Sequence, residues 1–404
     1  MPAASGVFKQ LAYKAESVYG TAPAASAAQS LRRVTSDLNL VKDSYQSNEI
    51  RTDQQMQDMR HGVRRVQGTI SGELSPGTYA DFFAAALRKD FVAVSAVSSL
   101  SLTIAGSGPT YTLARSTGTW LTSGIKKGDV VRITAGSVNA SNLNKNLLVV
   151  NIVALTLTVR VLNGSALVAE GPIASCTVSM PGKKTWAPTT GHTNKSFSIE
   201  HWFSDLVQSE VYTGCQPSTL DLQLPASGLA TIGIGVVGQG INRATSQYFT
   251  SPTAATSTGL LAAVNGVLLV AGTAVAVLTG LTLNLQSNRS GDPVVGSNVV
   301  PTLFPGRILL SGQATAYFDS VTLRDAFVDE TEVEILFALS ADNTAASDFI
   351  GLALPRVKVN GHTLNDGEGG LVATIPFQAL LPTTGGSGIA NELTTLAIHD
   401  SAAA

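Results

Sequence analysis

The chain has 404 residues, of which only 13% are charged, and a formal net charge of −2. So sparse and balanced a charge excludes a polycation that grips nucleic acid electrostatically, and the length suits two or three domains better than one core. Two cysteines, Cys176 and Cys215, are too few for a disulfide framework, and free thiols made in a reducing compartment are the simpler expectation.

In chain order, "MPAASGVFKQLAYKAE" lacks the apolar run of a secretory signal, so export is not expected. Residues 1–35 are small and polar with an amphipathic patch at Phe8, Leu11 and Tyr13. They read as an N-terminal arm, flexible or ordered against a neighbour. "DLNLVKD" (Asp37–Asp43) alternates as a strand, a polar run follows from Asn48 to Arg60, and "RHGVRRVQGTISGEL" resumes period two. In "SPGTYADFFAAALRKD", Pro76, the apolar Tyr79, Phe82, Phe83, Ala86 and Leu87, and the basic Arg88–Lys89 predict a short helix, the clearest in the chain.

From Ser99 to about Lys184 the texture changes to short β-rich runs such as "GDVVRITAG" and "NLLVVNIVALTLTVRVL" between Gly, Asn and Ser turns. A small inserted β-barrel or sandwich is expected there. Strand patterns return in "KSFSIEHWF" (Lys195–Phe203) and "STLDLQLPASGLATIGIGVVGQG" (Ser218–Gly240). The most apolar stretch, "GLLAAVNGVLLVAGTAVAVLTGLTLNL" from Gly259, is broken by Asn265, glycines and threonines. It reads as strands rather than a membrane span.

The pattern then repeats. Gly62 and Gly306 stand 244 residues apart, as do Gly68 and Gly312. "TSDLNLVKDS" is answered by "TGLTLNLQSN", at an offset of 244 for Thr35 and Thr279 and 243 for Leu38 and Leu281. "KSFSIEHWF" is answered by "TEVEILFAL", Gly228-Leu229 by Gly370-Leu371, and Leu220 by Val357. Matches in one order predict two tandem domains: a discontinuous first copy over 36–98 and 185–240, interrupted by a β domain at 99–184, and a second copy over 279–380. Residues 241–278 connect them and 381–404 form a tail. Two copies are too few for a solenoid but can fill two quasi-equivalent places in a ring.

Chemical motifs are weak. "GIGVVG" (Gly233–Gly238) has dinucleotide spacing, but the stretch is itself strand-like and no convincing helix follows. His201 neighbours Glu200 and Asp205, yet in a strand Glu200 and His201 point to opposite faces and no second histidine lies at ligand spacing. The carboxylates between Asp319 and Glu334 lack the register of a calcium loop and read as an acidic face. Arg60, Arg64 and Arg65 are balanced by Asp53 and Asp58 without interleaved aromatics, which favours intersubunit ion pairs or a solvated strand entrance. Neither a catalytic signature nor a cofactor motif emerges, so an enzyme is not expected.

"SNEIRTDQQMQDMRHGVRRVQGTISGELSPGTYADFFAAAL" and "SPTAATSTGLLAAVNGVLLVAGTAVAVLTGLTLNLQSN" resemble the major tail tube proteins of bacteriophages with long non-contractile tails. The resemblance implies a mainly β protein. It would have two tandem β-sandwich domains, each with a short flanking helix, whose sheets join side by side around a channel. The insert, Ser99–Lys184, departs from a minimal tube domain and is expected outside the tube as a decoration, touching cell-surface glycans or neighbouring rings. The resemblance also implies long loops that stack one ring on the next. Here these would be Ser44–Arg60, with Asn48, Asp53, Met56, Asp58 and Arg60, and Ser287–Pro305, with Asn288, Asp292, Asn298 and Phe304. The inner strands would be Gly62–Leu74, with Val63, Arg65 and Gly68, and Arg307–Phe318, with Arg307, Gly312 and Thr315. Single-domain tubes form hexameric rings, so a fused pair implies a trimer with pseudo-sixfold symmetry. The implied partners are further copies of the chain, the tape-measure, tail-tip and tail-terminator proteins, and double-stranded DNA passing without specific binding. The implied location is the virion tail, after synthesis in the host cytoplasm, with no membrane insertion. Another virion protein, such as a capsid-associated or terminator subunit, and a secreted β-rich adhesin are the alternatives.

Overall fold

The computed structural model describes residues 3–275, 278–318, 322–366 and 368–404. Its strands of four or more residues begin with β1 (Lys9–Ala15), β2 (Asn39–Gln46) and β3 (Met59–Glu73), followed by helix α1 (Ala80–Leu87). Six strands come next: β4 (Val97–Ser107), β5 (Thr110–Arg115), β6 (Val130–Ala135), β7 (Leu147–Ile152), β8 (Thr156–Val161) and β9 (Glu170–Ser179). Then run β10 (Lys183–Trp186), β11 (Phe197–Phe203), β12 (Gln208–Pro225), β13 (Thr231–Gly238), β14 (Gly240–Ala244), β15 (Gly266–Val270), β16 (Leu278–Gln286) and β17 (Leu309–Tyr317). Helix α2 (Thr322–Val328), β18 (Glu332–Ser340), β19 (Phe349–Val359), β20 (Val372–Ala379) and β21 (Ala397–Asp400) complete the chain.

Strict alternation of apolar and polar residues builds a central antiparallel sheet in the order β2-β3-β13-β12-β16-β17-β20-β19. One face of it is apolar: Val66, Ile70, Leu222, Ile234, Leu283, Leu310 and Ile375 are all buried. Two outer sheets pack on that face. In the first half, β1, β11, the start of β12 and β14 pair in that order. In the second half the order is β15, β18, the start of β19, β21 and β10. The long strands β12 and β19 therefore run through both layers and tie them together.

Helix α1 closes one end of the first half, its Phe82 ring 5.1 Å from Phe197 and 4.9 Å from Tyr13. Arg88 ends the helix in the left-handed conformation, at φ 60°, one residue before the predicted basic end finishes. Among the described residues of this segment, 3–35, the chain is not a free arm. Strand β1 pairs along its whole length with β11, and Leu11 and Tyr13 enter the core.

Strands β4 to β9 close into a six-stranded barrel in the order β8-β5-β4-β9-β6-β7. The barrel fills itself with Leu102, Leu113, Trp120, Val149 and Leu157. It sits between α1 and β11 in the chain and docks on the outside of the second outer sheet, where Val130 and Leu148 pack against Leu336, Ala338, Phe349 and Ala353. The joint is polar as well as apolar. Lys184 Nζ lies 2.8 Å from Asp129, with side chains 3% and 5% exposed, and also donates to the Gly124 carbonyl at 2.8 Å. Val130 N donates to His399 Nδ1 at 3.0 Å, and the other ring nitrogen meets the Pro181 carbonyl at 2.7 Å.

Removing Asp129 leaves the buried Lys184 only a longer contact with Glu392, at 3.7 Å, and the loss is expected toward the lower end of the about 3–5 kcal/mol for breaking a buried pair. Asp129→Ala is therefore expected to lower the midpoint of chemical denaturation far more than Asp58→Ala, which breaks an exposed pair with Arg60 worth about 0–1 kcal/mol. Circular dichroism against denaturant concentration reads both.

Candidate assembly surfaces

The uncovered face of the central sheet carries the side chains that alternation turns away from the core. On β3 they are Arg65, Gln67, Thr69, Ser71 and Glu73; on β12, Thr219, Asp221 and Gln223; on β16, Thr282, Asn284 and Gln286; on β17, Ser311, Gln313 and Thr315; on β20, Thr374 and Gln378. The face is thus mostly polar and close to neutral, with Val237, Leu309, Tyr317, Val372 and Pro376 as apolar members. Arg65 is neutralised by Asp43 at 2.9 Å, and the Asn284 amide donates to the Asp221 carboxylate. The glycines of "GIGVVG" lie within β13 on this sheet, and β14 rather than a helix follows them, which is the wrong context for a dinucleotide.

The sheet has two open ends. Strand β2 bonds to β3 on one side, and among the described residues no strand covers its other side. At the far end, Val357–Val359 bond to β20, a rung at Thr363 and Leu364 continues along it, and the opposite side is covered by β18 only as far as Lys358. Between the halves no edge is left open: β12 and β16 are joined by seven consecutive residue pairs from Thr219↔Gln286 to Pro225↔Gly280.

Two hairpin tips rise from the same end of the sheet. The first hairpin stays paired to Gln46↔Met59, so Arg60, expected in the loop, lies in β3, where it pairs with Asp58 at 2.9 Å. Asn48, Asp53 and Met56 are exposed in the tip, Met56 at 60% and nearby Ile50 fully, and Asp53 bonds to Arg51 rather than to the basic cluster. The second tip is docked. Arg64 N donates to the Asn298 carbonyl at 2.9 Å, Gln239 donates to the Val300 carbonyl at 3.0 Å, and Val300 is buried. Its base is held by Arg289, which donates to Gln216 Oε1 at 2.7 Å and to the carbonyls of Pro217 and Ala85 at 2.8 and 3.0 Å. Burial holds that guanidinium below its ordinary pKa, at about 10. Asp292 and Phe304 are exposed, and the Asn288 amide donates to the Arg307 carbonyl at 2.8 Å. Arg307, expected in an inner strand, precedes β17, whereas Val63, Arg65, Gly68, Gly312 and Thr315 lie in their strands. Arg289 carries no sequence signal, being a lone basic residue in a polar run.

Elsewhere the titratable groups are structural. His201 bonds to Ser36 Oγ at 2.8 Å and is held neutral by burial, its pKa lowered to about 3. Glu200 points the other way and accepts from Tyr248 N, Phe249 N and Ser209 Oγ. In the acidic run, Glu332 pairs with Arg356 and Glu334 with Lys127, while Asp319 lies outside the described residues. Among the described residues no group of three or more His, Cys, Asp and Glu is placed to hold a metal, and no helix is long and apolar enough to cross a membrane. Cys176 and Cys215 are both free and buried.

A histidine whose folded pKa lies below its unfolded value stabilises the fold above about pH 6.5 and loses that contribution as pH falls toward the folded value. Burial lowers His399 likewise, to about 4, whereas burial raises Asp400 to about 6, which gives it the opposite slope. His399 and Asp400 thus offset each other between pH 6 and 4, and His201 remains. Wild type is expected to lose stability over that range more steeply than His201→Asn, by up to about 1.4 kcal/mol per pH unit. Denaturant melts at stepped pH measure the difference, and equal slopes would contradict it.

A family model described as phage tail tube protein matches residues 9–379. No curated protein matches the chain.

Proposed function

The chain belongs to the phage tail tube protein family, a family of structural rather than catalytic proteins, and on that premise we propose that it is the ring-forming subunit of a tail tube, with two quasi-equivalent domains per chain. One observation carries this reading: the seven-rung junction of β12 with β16 makes the two halves one sheet. The halves share an order of pairing. β2, β3, β13 and β12 in the first correspond to β16, β17, β20 and β19 in the second, and hairpin β11–β12 to hairpin β18–β19.

Further support comes from the glycines. A Cβ on Gly68 would lie 2.8 Å from the Asp37 carbonyl oxygen, and one on Gly312 would lie 2.7 Å from that of Thr282. Both positions therefore tolerate only the close approach that glycine permits. With Asp37 matched to Thr282, "DLNL" falls on "TLNL" at an offset of 245, in place of the 243 and 244 taken from the sequence. In the same way Ile234, opposite Ile70, matches Ile375, opposite Ala314. Pairing Gly228 with Gly370 would slip that strand by one residue and turn its apolar face outward. Leu220 and Val357 occupy different rungs, Leu220 opposite Ile234 and Val357 opposite Ala379.

If the edge formed by Val359, Thr363 and Leu364 meets β2 of the next chain as β12 meets β16, the sheet closes and no edge remains. Six domains from three chains would then form a pseudo-sixfold ring lined by the Thr, Ser, Gln and Asn face. Such a lining offers hydrogen bonds but little net positive charge, so it would let DNA pass without holding its phosphates. The barrel, docked on the other side of the molecule, would decorate the outside. Tape-measure, tip and terminator proteins are the expected axial partners, and the virion tail the expected location.

Electron microscopy of the purified, concentrated protein, with native mass spectrometry, tests this. Hollow tubes or rings of three chains per layer are expected. Persistent monomers would overturn the reading and favour another role in the virion.

A further inference from the structure

The two hairpin tips are unequal in a way that the ring reading does not itself explain. Tyr45 pairs with Arg60 and Ser290 with Phe304, which matches the stems at the offsets of 245 and 244. The tips 47–58 and 292–302 then have nearly equal length, and their apolar residues coincide: Ile50 with Val294, and Met56 with Val300. Yet Val300 is 8% exposed and Met56 60%. The second tip lies sideways across the ends of β12 and β13 and reaches β3, where Val299 forms a parallel bridge with Arg64. The first tip has no such contact among the described residues: its hydrogen bonds, from Ser47 N to the Asp58 carbonyl and from Arg51 to Asp53, stay within the hairpin.

We propose that the first tip is a lateral clasp within the ring, laid across β19 and β20 of the adjacent copy so that Gln55 meets Ile308 and Met56 is buried as Val300 is buried within the chain. The landing site suits it. The counterparts of Arg64 and Gln239 are Ile308 and Leu380, flanked by Leu309 and Leu381, which are 39% and 46% exposed. An apolar shelf thus awaits the tip that carries Ile50 and Met56, while the polar shelf of Arg64 and Gln239 holds the second tip by its main chain. The clasp rests on the ring reading, and it assigns to this loop a contact inside one layer before any contact between layers.

Gln55→Cys with Ile308→Cys in one chain tests it, joined by a short bismaleimide. The native thiols are buried, and the two new ones belong to hairpins four strands apart in the sheet, from β3 to β17, a separation of roughly 20 Å at about 4.8 Å per strand that a short bismaleimide does not span within a monomer. In assembled protein the expected products are covalent dimers and trimers, with the ladder stopping at the number of chains per ring. Assembled protein that gives no link, or a ladder running past one ring, overturns the clasp and leaves the tube reading standing. Failure to assemble at all, in wild type as well, sinks the tube reading and the clasp with it. As a second measurement, Met56→Asp should leave monomer melting unchanged and raise the concentration needed for assembly by about tenfold or more, the loss of about 1.4 kcal/mol at each contact. Val300→Asp should instead destabilise the monomer. Assembly of Met56→Asp at the wild-type concentration would contradict the proposal.

Discussion

A β-sheet is unfinished at its edges, where each exposed strand presents unpaired N–H and C=O groups that water satisfies poorly once neighbours crowd in. Most of this structure follows from how one chain handles that constraint. Between its halves it removes the edge outright, by pairing β12 with β16 over seven rungs. At the two ends it leaves edges, β2 on one side and Val359 with the rungs at Thr363 and Leu364 on the other. Strand β2 carries one bulge, between Lys42 and Ser44, and is otherwise a largely exposed edge whose outer side is left free for another strand.

The remaining features serve to keep that sheet stiff and its free face bland. Strands β12 and β19 cross from the central to the outer layer, so the apolar core is bounded by continuous chain on both sides. The face away from the core uses Thr, Ser, Gln and Asn, and its main basic group, Arg65, is neutralised by Asp43. The barrel is carried on the other side, fixed by a buried ion pair and by His399 rather than by a flexible linker. Its position is therefore part of the fold, and whatever it meets, it meets at a defined place on the assembly.

Much of this was legible in the sequence. Period-two alternation gave the strands, the cluster of Phe82, Phe83 and Leu87 gave α1, and the change in texture after Ser99 gave the barrel. Register was harder, because alternation fixes which face a residue takes but not which rung it occupies. A two-residue slide of "DLNL" preserves every apolar position, and only the steric demand at Gly68 and Gly312 separates the choices. Strand β1 was hidden because just three of its residues, Leu11 to Tyr13, are buried. Docking of the second tip was also invisible, since its bond from Arg64 N to the Asn298 carbonyl joins main-chain atoms that any residues would supply.

The most direct test of the central claim is amide hydrogen exchange followed by mass spectrometry, on monomer and on assembled protein. Residues 39–46 and 359–364 are expected to exchange readily in the monomer and to be protected together on assembly, while 219–225 and 280–286 are protected in both states. Assembled particles whose two edge segments still exchange as fast as in the monomer would contradict closure of the sheet.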